Sequence, residues 1–322
     1  MLNRRHFMAA AIACAAADPA LAAEDYPGRP VKIIVPFGAG GPADIFARSI
    51  GQQLSEALKQ PFVIENKPGA GAVVGTVEAA RSAADGYTLL LMSNTHTANE
   101  TLVPKKGYVL LKDLAPIAPI NAADLVMVVN PAVSAKTLGE FIALAKTKPG
   151  ELNYASSGVG TPYHLAGESF KSLSGTNIVH IPHRGSGDAR TSVIGGHVQM
   201  MIDSVTTMAP SIAAGQVRAL AVTGKTRSSL LPDVPTAEEA GLKGYDATIW
   251  LGLMAPTGTP KALIDRLNAE VRKAQAKADV KASYAQQGTV PLDMSPAEFE
   301  AYIKGDIEKW AKVIETANIK MN

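Results

Sequence analysis

The chain has one cysteine, Cys14, and it falls within the first 22 of 322 residues. The rest of the chain therefore has no thiol and no disulfide, which excludes cysteine nucleophiles, CxxC redox chemistry and cysteine-ligated metal. Neither sign of charge is in excess: 31 Lys and Arg stand against 29 Asp and Glu. That balance gives no electrostatic footing for nucleic acid or an anionic membrane surface. No Gly-x-Ser-x-Gly elbow and no His-Glu-x-x-His pair occurs, so the commonest serine-hydrolase and zinc-hydrolase signatures are missing. Beyond the start of the chain no run of about 20 apolar residues appears, so no membrane span is predicted. No low-complexity segment or flexible linker is visible either.

The start of the chain reads as an export signal. Arg4 and Arg5 precede an apolar stretch over residues 8–17, and Ala20-Leu21-Ala22 offers a small-x-small cleavage site. The apolar stretch has the length of a signal core and is too short to cross a bilayer. Cleavage is expected after Ala22 or Ala23. Arg4-Arg5-x-Phe7-Met8 also fits a twin-arginine signal. Ala11-Ile12-Ala13 before Cys14 is a poor lipobox. The expected destination is the periplasm.

Length alone suggests two domains, and strand and helix signals alternate along nearly the whole chain. The first lobe opens on a β-branched run, 31–35, followed by Pro36-Phe37-Gly38-Ala39-Gly40-Gly41-Pro42-Ala43-Asp44. A strand, a glycine loop and a Pro at the first helical position place bare N–H groups at a helix N-terminus, which is an anion site. The same pattern returns in Ser156-Ser157-Gly158-Val159-Gly160-Thr161-Pro162. Two loops matched in spacing and in helix start predict two α/β lobes facing one ligand. Residues 93–97 read as a polar loop at a strand end, and 114–129 as an apolar stretch broken at Pro116 and Pro119 that carries the chain into the second lobe. Thr236-Ala-Glu-Glu239 reads as a capping box on a short helix, and 247–254 as an extended return to the first lobe.

The same residues admit other chemistry. Gly38-x-Gly40-x-x-Ala43 with Glu65 closing the next strand matches a loose dinucleotide fingerprint, so an NAD-dependent oxidoreductase is the rival from another class. Pro42 inside the turn and the export signal argue against it. His180 and His183 would point to opposite faces of a strand, so no metal is expected. His96 and His164 are either backbone-bonded loop histidines or ligand contacts. Asp203 is either a helix cap or an orienting acceptor in the cleft. Arg184 is either a solvated charge or a carboxylate partner, and Trp250 either core or a ligand platform. Asp44 reads as a helix cap. No nucleophile, base and orienting group assemble, so no catalytic residue and no cofactor is expected.

Several motifs, in order through nearly the whole chain past residue 22, resemble one family. They are Tyr26-Pro27-x-Arg29-Pro30-Val31-Lys32-Ile33-Ile34-Val35-Pro36-Phe37-x-Ala39-Gly40-Gly41, Glu65-Asn66-Lys67-Pro68-Gly69-Ala70-Gly71, Tyr154-Ala155-Ser156-Ser157-Gly158-x-Gly160-Thr161-x-x-His164-Leu165, Gly195-Gly196-x-Val198-x-Met200-Met201-x-Asp203 and Pro232-Asp233-Val234-Pro235-Thr236. The chain resembles the Bug-type periplasmic receptors of tripartite tricarboxylate transporters. The resemblance implies a two-lobed type II periplasmic-binding-protein fold, α/β in class, with two crossing segments. The residue reading puts lobe 1 over residues 23–121 and 241–322 and lobe 2 over 122–240. The resemblance further implies a small carboxylate ligand held by backbone and water between the two glycine loops, membrane permease subunits as partners, and a monomer. A receptor of this build that feeds a sensor is the alternative use. Carried over residue by residue, the expected ligand-binding set is Phe37, Gly38, Ala39, Gly40, Gly41, Ser156, Ser157, Gly158, Thr161 and Asp203. To these the residue reading adds Thr95, His96, His164, His183, Arg184 and Trp250. Thr97-Ala98-Asn99-Glu100 and His183 depart from the family pattern, in the variable half of the cleft.

Overall fold

The run Val31–Val35 forms strand β1, and its alternation shows why it sits at the centre of a covered sheet. Val31, Ile33 and Val35 pack on one face with Phe46, Ile50 and Leu54 of the helix Pro42–Leu58. Ile34 packs on the other with Leu90, Trp250 and Phe299. A strand buried on both faces must be apolar throughout, as this one is. The computed structural model describes residues 26–183 and 185–320. The expected leader and Arg184 lie outside the described residues. Among those residues no helix is long and apolar enough to cross a membrane.

The strands that follow are β2 (Phe62–Asn66), β3 (Thr88–Ser93), β4 (Leu114–Ala123), β5 (Leu125–Val129), β6 (Asn153–Ser156), β7 (Val179–Pro182), β8 (Met200–Ser204), β9 (Arg218–Val222), β10 (Ile249–Pro256) and β11 (Thr289–Pro291). They form two sheets, ordered β11-β4-β10-β3-β1-β2 and β7-β6-β8-β5-β9. In the first, β1 lies between β2 and β3 with both pairings parallel, and β10 runs antiparallel between β3 and β4. In the second, β6 lies between β7 and β8 with both pairings parallel, and β5 runs antiparallel between β8 and β9. The two sheets share one construction, so β1 and β6 are equivalent strands.

Three sequence expectations are corrected. Pro116 and Pro119 do not break the apolar stretch: both lie within β4, opposite Met254 and Gly252, where the ladder shifts register. Irregularities of this kind are where a strand tolerates a residue that cannot donate. Residues 93–97 are not a loop, because the helix Asn94–Leu102 starts there with Ser93 as its cap. The capping box at Thr236 is formed, with Glu239 N–H donating to Thr236 Oγ1 at 3.0 Å, but it closes a turn and no helix follows.

The chain crosses between sheets at Asp124, between β4 and β5, and returns after β9 to enter β10. A third contact backs these crossings. The helix Pro296–Thr316 packs on both Asn94–Leu102 and Pro162–Ser174, with Trp310 and Ile314 against Leu102 and Leu165 in one apolar cluster.

The crossing carries a strained charge. Burial, with the Asp246 carboxylate second, raises the Asp124 carboxyl from its ordinary 3.8 to about 6. A carboxyl raised on folding binds its proton more tightly folded than unfolded. The cost of ionising it therefore builds between about pH 4 and 6 and is complete above 6. Asp124→Asn removes that cost. At about 1.4 kcal/mol per tenfold change in proton affinity, discounted for partial exposure, the gain should be about 2 kcal/mol at pH 8 and should shrink towards pH 4. Urea unfolding at the two pH values measures it, and a gain independent of pH would show that the charge is not the cause.

Candidate functional site

The two glycine loops leave the C-terminal ends of β1 and β6, the strand ends where α/β sheets collect ligands. They face each other across one cleft. A cavity of about 400 Å³ is lined by Pro36, Phe37 and Gly38 from the first loop and by Ser157, Val159, Gly160, Thr161 and Pro162 from the second. The segment Pro68–Ala72, with Thr95 and Asn99, closes the remaining wall.

Each loop is held in shape by the helix it feeds. Gly40 and Gly160 occupy equivalent places with φ of 78° and 75°, a left-handed conformation that suits residues without a Cβ. Gly40 N–H donates to Asp44 Oδ2 at 2.9 Å, and Gly160 N–H donates to His164 Nδ1 at 3.0 Å. A carboxylate and an imidazole thus do the same task at matched positions, and both must stay unprotonated to accept. The Arg48 guanidinium, its Nε donating to Asp44 Oδ2 at 3.0 Å, holds that carboxyl down at about 2. Burial, with nearby Lys171 second, lowers His164 to about 4. Asn66 adds a further tie, donating to Phe37 O at 3.2 Å.

With Gly40 and Gly160 engaged, the N–H groups of Gly38, Ser157 and Val159 remain at the cleft wall with no partner among the described residues. The first turns of three helices, starting at Pro42, Asn94 and Pro162, border the cleft and the cavity beside it. Each adds partial positive charge from its unpaired first-turn N–H groups. Among the described residues that line the cavity there is no Asp, Glu, His, Lys or Arg. Such a wall holds an anion by backbone alone.

A second chamber of about 220 Å³ adjoins the first through shared Phe37, Thr95 and Pro162. Phe46, Tyr163, Ile249 and Leu251 are among its lining residues.

The expected site residues separate into walls and supports. Phe37, Gly38, Thr95, Ser157 and Thr161 line the cleft. Gly40 lines an adjoining cavity with Ile45 and Phe46. Ala39, Gly41 and Gly158 shape the loops without lining these cavities. His183 is half-buried beside the second loop, its N–H donating to Ser156 O at 2.9 Å.

Five of the expected residues stand behind these walls as supports. Ser156 is fully buried, its Oγ 2.6 Å from His180 Nε2 and accepting from Gly158 N–H at 3.1 Å. His164 stacks on His180 at 3.9 Å behind the loop. His96 is fully buried, with Nδ1 accepting from Ser93 N–H and Nε2 3.0 Å from Thr76 Oγ1, and its ring meets Phe37 edge-on. Asp203 is fully buried, accepting from Ser204 N–H at 2.8 Å and from Arg190 at 3.4 Å. Trp250 is on the face of β10 opposite to Ile249 and Leu251, because strand side chains alternate. It packs on Phe299 and Tyr302 and donates to Asp306 Oδ2 at 3.3 Å.

Tyr163, Asn121 and Asn99 also line these cavities and were not among the expected ligand-binding residues. Tyr163 follows the first-position Pro162 and was findable as a first-turn residue beside the loop. Asn121 had one signal, a polar residue inside an apolar run.

The dinucleotide reading loses its acid. Glu65 is paired with Lys32 at 2.6 Å and Lys67 at 2.8 Å.

Residues 46–319 match the family described as tripartite tricarboxylate transporter family receptor. Protein BugT of Bordetella pertussis is 38% identical over 313 residues, covering 96% of each chain. Among solved structures, R. palustris Rpa4515 with adipate is 32% identical with a TM-score of 0.81, over 92% of this chain and 99% of that one. MatC from Rhodopseudomonas palustris with bound malate is 32% identical with a TM-score of 0.76, over 90% and 100%. With a two-lobed fold, a glycine loop from each lobe on one cleft, and likeness over this much of its length, the chain belongs to the receptor family of the tripartite tricarboxylate transporters.

Proposed function

We propose that this protein is an exported periplasmic receptor that captures a small organic carboxylate between lobe 1 (23–121 with 241–322) and lobe 2 (122–240). It then delivers the ligand to membrane permease subunits of a tripartite tricarboxylate-type transporter. The observation that carries the reading is the cavity shared by Gly38, Ser157, Val159, Gly160 and Thr161, walled by N–H groups with no partner, and by no anionic side chain, among the described residues. The adipate and malate bound to two related structures support the same ligand class. A carboxylate touching both loops favours the closed arrangement because its contacts exist only when the lobes meet. That state difference is what a permease can read.

Calorimetric titration with a panel of small acids and their primary amides tests this. At least one acid should bind at micromolar concentration or below, and its amide about a hundredfold more weakly, since a charge-assisted hydrogen bond to backbone N–H is lost. An amide that binds as well as its acid would overturn the carboxylate reading. Quenching of intrinsic fluorescence by NADH at micromolar concentration would instead support the oxidoreductase.

A further inference from the structure

The second chamber says what the rest of the ligand is. Its walls are the rings of Phe37, Phe46 and Tyr163 and the side chains of Ile249 and Leu251. No cation lines it among the described residues. The nearby guanidinium and ammonium groups are engaged elsewhere: Arg48 on Asp44, Arg190 on Asp203, and Lys32 and Lys67 on Glu65. A charge placed here would lose its water and gain no counterion, the costliest kind of burial.

The side chains of Asn121, Thr95 and Ser204 in the chamber have no hydrogen-bond partner among the described residues, and Asn121 is the most buried of the three. It lies on β4 and is 2% exposed. Buried amides are nearly always paired. An amide offers both a donor and an acceptor, so it suits a hydroxyl or carbonyl on the ligand. The other polar neighbours, Ser93, Thr95 and Ser204, are neutral as well.

We propose that the ligand is a monocarboxylate with an apolar body and a neutral hydrogen-bonding group at the far end, and that Asn121 reads that group. The inference rests on the carboxylate reading above, and it separates this chain from relatives whose structures hold dicarboxylates.

Two matched series test it by calorimetry: hexanoate, 6-hydroxyhexanoate and adipate, and benzoate, 4-hydroxybenzoate and terephthalate. Within a series only the distal group changes. In at least one series the hydroxy acid should bind about tenfold more tightly than the parent acid and about a hundredfold more tightly than the diacid. In Asn121→Ala the advantage of hydroxy acid over parent acid should collapse towards onefold. That ratio is internal to each protein, and the wild-type series decides even if the variant folds poorly. A diacid that binds tightest overturns the inference but leaves the carboxylate reading standing. Loss of that diacid preference in Arg184→Gln would overturn it too, by placing the countercharge on residue 184. If none of the six acids binds while other acids of the panel do, the proposed class is wrong. Equal binding of acids and amides removes the reading beneath it.

Discussion

Replacing Gly38 with Asp should abolish acid binding and leave the fold intact. Gly38 lines the cleft, and a Cβ built on it meets nothing within 4 Å. Its backbone is not in the left-handed region, so a side chain causes no strain there. The substitution therefore isolates charge from shape. A second carboxylate about 4 Å from the ligand's, at the effective dielectric of a protein surface, costs about 4 kcal/mol. That is about three orders of magnitude in affinity. Gly38→Asn is the control of equal size, and it should lose far less. The same change at Gly40 would be uninformative, because a φ of 78° penalises any side chain before its charge matters. Thermal unfolding of Gly38→Asp should match the wild type while titration shows no heat. Equal losses from Asp and Asn, or unchanged affinity with Asp, would remove the first loop from the site.

What the sequence made legible was what local chemistry dictates. Glycine and proline constrain the backbone wherever the chain goes, so the two loops could be matched before any fold was known, and they land on equivalent strands β1 and β6. Burial on both faces is legible for the same reason: an unbroken β-branched run has nowhere else to go. What stayed hidden depends on partners distant in sequence. Trp250 lies in a strand apolar at almost every position, so its facing could not be phased, and only Phe299 and Asp306 reveal it as core. The capping role of His96 was hidden because histidine is an uncommon member of a capping box, yet here its ring accepts from Ser93 N–H and completes one. Asn121 is the converse case. Its lone polarity in an apolar run was visible, but the chamber that gives it a purpose is built from β4, β10 and three helix starts. Arg184 lies outside the described residues, and its expected role stays a proposal.

The second glycine loop rests on a stack whose integrity a single methyl group would test. Gly167 lies in the helix Pro162–Ser174, and a Cβ on it would sit 2.1 Å from Tyr154 Cε2 and 2.6 Å from Cζ. The Tyr154 ring cannot easily give way. It is fully buried, donates from its hydroxyl to Glu168 Oε1 at 2.6 Å, and lies against His180 at 4.9 Å. His180 in turn stacks on His164 and meets Ser156, the two side chains that hold the loop. Two effects of Gly167→Ala oppose each other. Alanine favours the helix by about 1 kcal/mol, whereas overpacking a rigid core costs about 1–3 kcal/mol and sometimes more. The overlap is deep and the ring is fixed at three points, so the second effect should win. A net loss of about 2 kcal/mol is expected, with acid affinity falling about tenfold as the ring presses on the histidines. Tyr154→Leu in the same chain should recover part of both losses, because it removes the atoms in conflict, and the non-additivity would be the signature of the contact. A Gly167→Ala variant that is simply more stable, by the helix preference alone, would mean that the stack moves freely and does not fix the loop.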